Sequence, residues 1–258
     1  MSRFRLLIEY EGSNYHGWQQ NAGVQTIQGE MLKACQKLFD TKKIELYGAG
    51  RTDTGVHALG QVAHLDVSTE MHAKTMIVRL NEILPYDIHV LKLEKCEAGF
   101  HARHNAVARS YVYIISRRRS AFGKRYVWWV KEDLSVSKMQ EVAAIFKGFH
   151  DFSSFGAATE EEKSTLVDIS YLDVRESGNQ ILIHMLGSHF LWGMVRRITG
   201  VLVHAGKGKL TVREIQGFMD QYSERPSQLA APPSGLYLQR VYYPGERFEF
   251  HPKIPVAI

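Results

Sequence analysis

A carboxylate and a guanidinium stand two residues apart in a polar, glycine-rich segment, residues 48–57, between two apolar stretches. The pair is Arg51 and Asp53. The three glycines of the segment permit backbone conformations that other residues avoid, so it can form a loop that presents a side chain. An aspartate is ionised near pH 7 and can act as a nucleophile that forms a covalent intermediate. The alternative is a plain strand connection in which the two charges only neutralise each other.

Two other places combine residue types that could bind a substrate. Alternate side chains of a strand share one face, which puts Arg109, Tyr111 and Tyr113 together on residues 106–116. An arginine with two tyrosines is unusual for a dry core. Arg196 and Arg197 follow an apolar pattern of helical period, and on spacing alone they would line the polar face of that helix.

The composition is that of a globular protein with a weak preference for polyanions. The chain has 258 residues, 45% hydrophobic and 23% charged, with a formal net charge of +5. Basic residues are concentrated at 117–119, 124–125 and 196–197, although each cluster taken alone is compatible with a solvated surface. The length suffices for a large core without disulfides or metal.

The sequence argues against several classes of protein. The two cysteines, Cys35 and Cys96, form no CxxC pair, so neither a structural zinc site nor a disulfide framework is expected, as suits the cytoplasm. No apolar run approaches about 18 residues, which argues against a membrane span. A metal hydrolase built on His57, His64 and Asp66 is a remote alternative, because 12 histidines make chance pairs common.

The elements that position these residues follow from hydrophobic period and from turn signals. The first half predicts strands at 4–10, 44–47, 61–67 and 88–94, with helices at 25–39 and 72–84. The second half predicts strands at 106–116, 166–175, 180–187 and 236–243. Its helices are expected at 137–147, opened by Ser137 and closed by Gly148, at 190–205, and from Thr211 with a capping box to Glu214.

Each half therefore has the order β-α-β-β-α-β of a ferredoxin-like unit. We predict an α+β fold in which residues 1–105 and 106–258 form two such halves. They are expected to share a largely antiparallel sheet, with the active-site cleft between them. The N-terminal half would carry the Asp53 loop.

The loop resembles a signature of the bacterial tRNA pseudouridine synthase A family, through Gly50-Arg51-Thr52-Asp53-x-Gly55-Val56-His57-Ala58. Further motifs of the same family follow in the same order. These are Glu9-Tyr10-Glu11-Gly12-Ser13-x-Tyr15-x-Gly17-Trp18-Gln19, Phe100-His101-Ala102-Arg103, Ala108-Arg109-Ser110-Tyr111-x-Tyr113, His150-Asp151-Phe152-Ser153-Ser154-Phe155, Phe190-Leu191-x-x-Met194-Val195-Arg196-Arg197 and Ala231-Pro232-x-x-Gly235-Leu236-Tyr237-Leu238. The resemblance covers nearly the whole chain, with Thr54 in place of a common alanine.

The resemblance implies a role for each matching residue. Asp53 matches the essential aspartate of enzymes that detach uracil from ribose, turn it and rejoin it through carbon 5 without a cofactor. Arg196 matches the basic residue that pairs with that aspartate, and Tyr111 the tyrosine that stacks on the target base and helps to move its proton. Leu236 matches an apolar residue of the base pocket, although a leucine in a final strand is ordinarily core.

The remaining arginines are expected to contact RNA. Arg51 matches the arginine beside the catalytic aspartate, which holds phosphate or fills the space left by the flipped base. Arg103, Arg109 and Arg197 are assigned to RNA binding, and Arg197 to a phosphate. His57 and Tyr113 are interpreted as structural, His57 through a hydrogen bond in the loop and Tyr113 through packing.

The resemblance further implies a substrate, an assembly and an alternative. The expected substrate is tRNA, at uridines 38 to 40 of the anticodon stem-loop, and the expected assembly is a cytoplasmic homodimer that needs no metal or cofactor. The alternative is a non-catalytic module that binds or folds tRNA on the same scaffold. The retention of Asp53, Tyr111 and Arg196 favours the enzyme.

Overall fold

In the computed structural model, which describes residues 1–157 and 164–252, the first strand, β1 (Ser2–Tyr10), buries every second side chain. The buried set is Phe4, Leu6, Ile8 and Tyr10, which is the period of a strand with one face against a core. β1 pairs antiparallel with β3 (His57–Val67) and β4 (Ile88–Lys95), and β3 also pairs with β2 (Glu45–Gly48). These four strands confirm the four predicted in the first half.

The first of two compact units contains Met1–Val107 and Tyr237–Arg247. The chain returns to it through the last strand, β11 (Leu236–Tyr242), whose residues Tyr237 and Leu238 pair parallel with His57 and Ala58 of β3. The predicted division at residue 105 lies close to the end of the first stretch of this unit, Val107, but it does not include the later stretch Tyr237–Arg247. β3 begins at His57, four residues earlier than predicted, and this pairing lies in the added part.

Two helices complete the first unit, where the sequence predicts them. α1 (Ile27–Phe39) is capped by Thr26, whose side chain accepts a hydrogen bond from the Gly29 amide, and it buries Ile27, Met31 and Cys35. α2 (Ala73–Ile83) buries Met76 and Leu80. It ends at Leu84 in an extended conformation, because the following Pro85 disfavours helical geometry in the residue before it.

The second unit contains Ala108–Leu236 and Phe248–Ile258. Its main strands are β5 (Ala108–Ser116), β6 (Trp128–Trp129), β9 (Tyr171–Ser177) and β10 (Gln180–Gly187). β10 pairs antiparallel with both β5 and β9, while β6 pairs parallel with β5. β7 (Gly148–Asp151) and β8 (Leu166–Ile169) form a separate antiparallel pair. The helices are α3 (Val136–Ala143), α4 (Met194–Gly206), α5 (Val212–Asp220) and α6 (Arg225–Gln228).

Three predicted boundaries of the second unit are wrong. α3 is capped by Ser135 rather than Ser137, and after Ala143 it tightens into a 3-10 turn that ends at Phe146. The predicted strand 166–175 is two strands, since the part before Ser170 pairs with β7 and the part after it pairs with β10. The predicted helix 190–205 begins only at Met194, because Gly193 has φ +74, outside the helical region. The capping box of Thr211 and Glu214 is confirmed.

The fold is of the predicted α+β class, with a large and mostly antiparallel sheet. The β-α-β-β-α-β order holds in the first unit. The second half of the chain adds β6, β7, β8 and the short helices to that order, and its last strand, β11, belongs almost wholly to the first unit. Among the described residues no helix is long and apolar enough to cross a membrane.

Candidate active site

Asp53 lies in the irregular segment between the end of β2 at Gly48 and the start of β3 at His57. The Val56 amide donates to the Asp53 carbonyl at 3.1 Å, and Gly55 has φ +78, so the chain makes a tight turn directly after the aspartate. Asp53 is half-buried and Arg51 is exposed. The loop therefore presents a carboxylate on a defined turn, as the glycine pattern predicts.

The segment from Tyr10 to Trp18 holds this loop from one side. The Trp18 amide donates to the Thr52 carbonyl at 3.1 Å, and the Gly55 amide donates to the Tyr15 carbonyl at 3.2 Å. These two bonds flank Asp53 in sequence. Since both are made by main-chain groups of the buried residues Tyr15 and Trp18, they fix the backbone on each side of the carboxylate.

Close backbone approach explains Gly17. A Cβ at this position would stand 2.3 Å from the Thr52 carbonyl oxygen, and φ is +81. Trp18 makes a similar demand, because a Cβ on Gly48 would stand 2.5 Å from its indole ring. Gly17 and Gly48 are thus packing requirements of the Asp53 loop.

His57 is structural, in agreement with its predicted role. It is 1% exposed, its Nδ1 accepts a hydrogen bond from the Gly12 amide at 3.0 Å, and its ring stacks on Tyr237 with centroids 4.7 Å apart. A ring nitrogen that accepts a hydrogen bond from a backbone amide has its lone pair occupied by a structural contact. His57 therefore joins the start of β3 to the segment that follows β1 and to β11.

Arg103 is in the same unit as Asp53 but not beside it. It belongs to a turn in which the Ala102 amide donates to Nδ1 of His64 at 3.2 Å. His64 follows His57 by seven residues on β3, a separation of roughly 23 Å along a strand. The main chains of Arg103 and Asp53 are thus near different ends of β3.

Tyr111 and Arg109 share a face of β5, as predicted, and both are half-buried. The Tyr111 ring meets Phe190 edge to face, with centroids 5.1 Å apart. A guanidinium nitrogen of Arg109 donates to the Ser188 carbonyl at 3.0 Å. Segment 188–190 therefore orients both side chains.

Tyr113 on the same strand is packed, which confirms its structural interpretation. It is fully buried, and its hydroxyl donates to the Pro232 carbonyl at 2.7 Å. Gly235 lies so close that a Cβ there would stand 2.7 Å from the ring. Leu236, the next residue, is 5% exposed, and its burial agrees with both the core and the base-pocket interpretation.

Arg196 is clamped in the first turn of α4. Its Nε donates to the Ala231 carbonyl at 2.7 Å, and the Ala231 amide donates back to the Arg196 carbonyl at 2.9 Å. Gly200 allows this approach, since a Cβ there would stand 1.7 Å from the Leu229 carbonyl oxygen. The guanidinium is thus oriented by a bond outside its own helix. Arg197, also half-buried, follows it in the same turn.

The residues of the metal-hydrolase alternative have other partners. Asp66 forms an ion pair with Arg3, whose Nε and Nη2 lie 2.7 and 2.5 Å from the carboxylate, and the hydrogen bond from Arg3 lowers the Asp66 pKa. Burial lowers the pKa of His64 to about 4. Across residues 1–157 and 164–252, no cluster of three or more His, Cys, Asp or Glu is arranged to hold a metal ion.

Comparison with known proteins gives the family. The model of a family described as tRNA pseudouridine synthase matches residues 6–105 and 142–244. The chain belongs to this family. The tRNA pseudouridine synthase A of Bartonella tribocorum is 37% identical over 248 residues, which cover 94% of this chain and 100% of that protein. The protein of the same name from Syntrophomonas wolfei is 39% identical over 249 residues, covering 95% and 98%.

Family membership makes the chain an isomerase that converts uridine to pseudouridine in tRNA. The matched stretches contain Asp53 and its loop, Arg196 with its clamp, and Leu236. Arg109 and Tyr111 lie between the two stretches, in residues 106–141.

Three supporting residues of this synthase were not singled out from the sequence. Tyr10 reaches Thr52, Phe190 packs on Tyr111, and Ala231 holds Arg196. All three contacts join residues at least 35 positions apart, so no local pattern reveals them. All three residues stand in segments that resemble family motifs, and this resemblance is the signal that the sequence offers.

Proposed function

We propose that this synthase isomerises uridines 38 to 40 in the anticodon stem-loop of tRNA, with Asp53 as its catalytic carboxylate. The observation that carries the proposal is the Asp53 turn, whose backbone is fixed on both sides by Tyr15 and Trp18 in a chain of this family. A carboxylate held in this way is pre-organised for attack, which is where much of an enzyme's advantage arises.

The reaction needs no group other than those of the chain and the tRNA. The carboxylate of Asp53 attacks the ribose or the base, the bond between C1′ and N1 breaks, and uracil turns. A bond then forms between C1′ and C5, the bond to the Asp53 carboxylate breaks and returns its electron pair to the oxygen, the C5 proton leaves, and N1 gains a proton. Atoms and electrons balance because the product is an isomer of the substrate, so no cofactor is proposed.

We assign the second unit's residues to the same reaction. Arg196 is the proposed ion-pair partner of the carboxylate, and its Nε bond to Ala231 supports a fixed guanidinium. Tyr111 is proposed to stack on the target base and to assist proton transfer. Leu236 is proposed to line the base pocket, a role that suits a buried apolar side chain.

The arginines outside these roles are proposed to bind RNA. Arg51 is exposed beside Asp53 and is suited to a phosphate or to the space left by the flipped base. Arg109 and Arg197 are proposed to contact phosphates. Arg103 is proposed to contact RNA at a distance from Asp53.

Tritium release tests the target positions. Transcripts would carry tritium at C5 of one uridine only, at position 38, 39 or 40, with a matched transcript labelled in the acceptor stem. We expect release from the three anticodon positions and none from the acceptor stem. Release from the acceptor stem alone would contradict the proposed site preference while leaving the family activity intact.

We also propose that the synthase is a cytoplasmic homodimer. Two free cysteines, Cys35 buried and Cys96 half-buried, suit a reducing compartment. Light scattering across a range of protein concentrations tests the assembly. A monomeric mass at every concentration would contradict the dimer.

A further inference from the structure

The loop between β5 and β6, residues 117–127, is strongly basic, and we name it the basic loop. It contains Arg117, Arg118, Arg119, Lys124 and Arg125, and no acidic residue occurs between Ser116 and Lys131. All five cations are exposed. Like charges gathered without neighbouring acids in the sequence repel one another, and a polyanion relieves that repulsion.

An exposed aromatic side chain stands among these charges. Phe122 is 83% exposed at the tip of the loop. Trp129, on β6, is 39% exposed, and the guanidinium of Arg119 lies over its ring, 5.5 Å from the centroid. A solvated basic surface accounts for the cations but not for a phenyl ring held in water. Cations beside aromatic faces are the combination that binds phosphates and stacks unpaired bases.

The base of the loop is anchored, and its far part contains a hydrogen-bonded turn. The Arg117 amide donates to the Asn179 carbonyl at 2.9 Å, and its side chain pairs with Glu176 at 2.6 Å. At the tip, the Tyr126 amide donates to the Gly123 carbonyl at 2.8 Å, and Gly123 has φ +78. Because Arg117 is paired with Glu176, the positive charges that can contact a ligand are those of the basic residues that follow Arg117 in the loop.

We propose that the basic loop is an accessory tRNA-binding surface. In it Arg118, Arg119 and Lys124 contact phosphates, and Phe122 stacks on an unpaired base. The inference rests on tRNA as the substrate, and it deepens that function by naming a second place of contact. The loop lies in residues 106–141, between the two stretches that the family model matches.

The surface acts on binding and not on the reaction. Tyr111 precedes Ser116, the last residue of β5, by five positions, a separation of roughly 17 Å along the strand. A nucleotide on the basic loop is therefore not the one that stacks on Tyr111. Variants of the loop should raise KM and leave kcat unchanged.

Filter binding of tRNA at several salt concentrations tests the proposal. The double variant Arg118→Ala/Arg119→Ala should lower the slope of log Kd against log salt by about 1 to 2, since each lost phosphate contact lowers it by roughly 0.7–0.9. Phe122→Ala should weaken binding by about 5- to 100-fold at every salt concentration, with the slope unchanged, and Phe122→Trp should restore it. The matched control is Lys42→Ala/Lys43→Ala, two exposed cations of the first unit, for which neither quantity should change.

Two results would overturn the proposal. One is that the double arginine variant has the same slope of log Kd against log salt as wild type and that Phe122→Ala binds tRNA with wild-type affinity. The other is an equal loss of slope in the lysine control, which would indicate general attraction to the whole protein surface.

Tritium release at saturating tRNA, measured on the same variants, separates this inference from the proposed function. Wild-type protein that binds tRNA but releases no tritium would defeat the proposed function, and the binding comparison would still decide the role of the loop. Normal tritium release together with wild-type tRNA binding in every loop variant would contradict only the proposal that the basic loop binds tRNA.

Discussion

The hydroxyl groups of Tyr10 and Thr52 lie 2.9 Å apart in a buried setting, at the end of β1 and directly before Asp53. Thr52 also accepts the Trp18 amide through its carbonyl. The residue before Asp53, the proposed catalytic carboxylate, is therefore held through both its side chain and its main chain. A displacement here moves Asp53 without changing any group that reacts.

Tyr10→Phe should lower both stability and kcat, because it leaves the Thr52 hydroxyl buried without this partner. A buried polar group in that state costs about 1–3 kcal/mol. Thr52→Val should behave alike. The double variant should recover much of the stability lost by the singles, since replacing both partners is nearly neutral. Urea unfolding and tritium release measure the two effects; additive losses in the double variant would show that the hydroxyls are not coupled.

Gly17→Ala should damage activity much more than Gly23→Ala. The two glycines have φ +81 and +78, so an alanine meets a similar backbone cost of about 1–2 kcal/mol at both. A Cβ at Gly17 also meets the Thr52 carbonyl oxygen at 2.3 Å, whereas nothing lies within 4 Å at Gly23.

We expect Gly23→Ala to keep wild-type kcat and Gly17→Ala to lose about tenfold or more, because small misplacements of reacting groups are costly. Single-turnover tritium release checks the pair. Equal kcat values in the two variants would mean that the position of Thr52 does not govern the reaction.

Arg196→Lys should lower kcat, by about 100-fold, with a small effect on stability. The guanidinium of an arginine can donate from Nε to the Ala231 carbonyl while its two terminal nitrogens face the proposed partner, Asp53. A lysine has a single terminal nitrogen and cannot do both in this geometry. Arg197→Lys is the matched control in the next position; it keeps the charge proposed to meet phosphate, so its kcat should be unchanged. Steady-state kinetics separate kcat from KM. If Arg196→Lys raised KM and left kcat unchanged, Arg196 would be assigned to RNA binding instead.

Stability should fall as the pH drops from about 6.5 towards 4, in part because of His64. Burial lowers the folded pKa of His64 to about 4, with His101 and Arg3 acting in the same direction, while the unfolded value is about 6.5. Within this window the unfolded chain binds the extra proton, so acid favours unfolding, by about 1.4 kcal/mol per pH unit for one proton. Buried His184, whose pKa is also lowered to about 4, adds to the slope.

His64→Asn removes one titrating group and keeps an acceptor for the Ala102 amide. Its free energy of unfolding, measured by urea at pH 7, 6 and 5, should decline less steeply than that of wild type. Parallel declines in the two proteins would contradict the assignment of the pH dependence to His64.

Elements with a strong local period were predictable from the sequence. The alternation of Phe4, Leu6 and Ile8 predicts β1, and the Thr211 capping box predicts the start of α5. Boundaries set by a single backbone angle or by distant pairing were not. Ser135 and Ser137 are equivalent cap candidates in sequence, and only the extended conformation of Ser135 separates them. The pairing of β8 with β7 likewise depends on tertiary context.

The residues proposed to react could be named from the sequence, whereas most of the residues that support them could not. Asp53 and Arg51 stand out through their loop, and the family motifs point to Arg196 and Tyr111. The bonds from Tyr10 to Thr52 and from Arg196 to Ala231 join distant parts of the chain. Such contacts depend on how segments pack, which local spacing does not encode.

The most direct test of the account compares wild type, Asp53→Asn and Thr54→Ala on tRNA transcripts labelled with tritium at uracil C5. Thr54 is the exposed neighbour of Asp53, so its variant controls for disturbance of the loop. We predict tritium release by wild type and Thr54→Ala, none by Asp53→Asn, and unchanged tRNA affinity in all three. Release by Asp53→Asn at the wild-type rate would contradict the catalytic role of Asp53, and tight binding without release by any of them would indicate a non-catalytic tRNA-binding module.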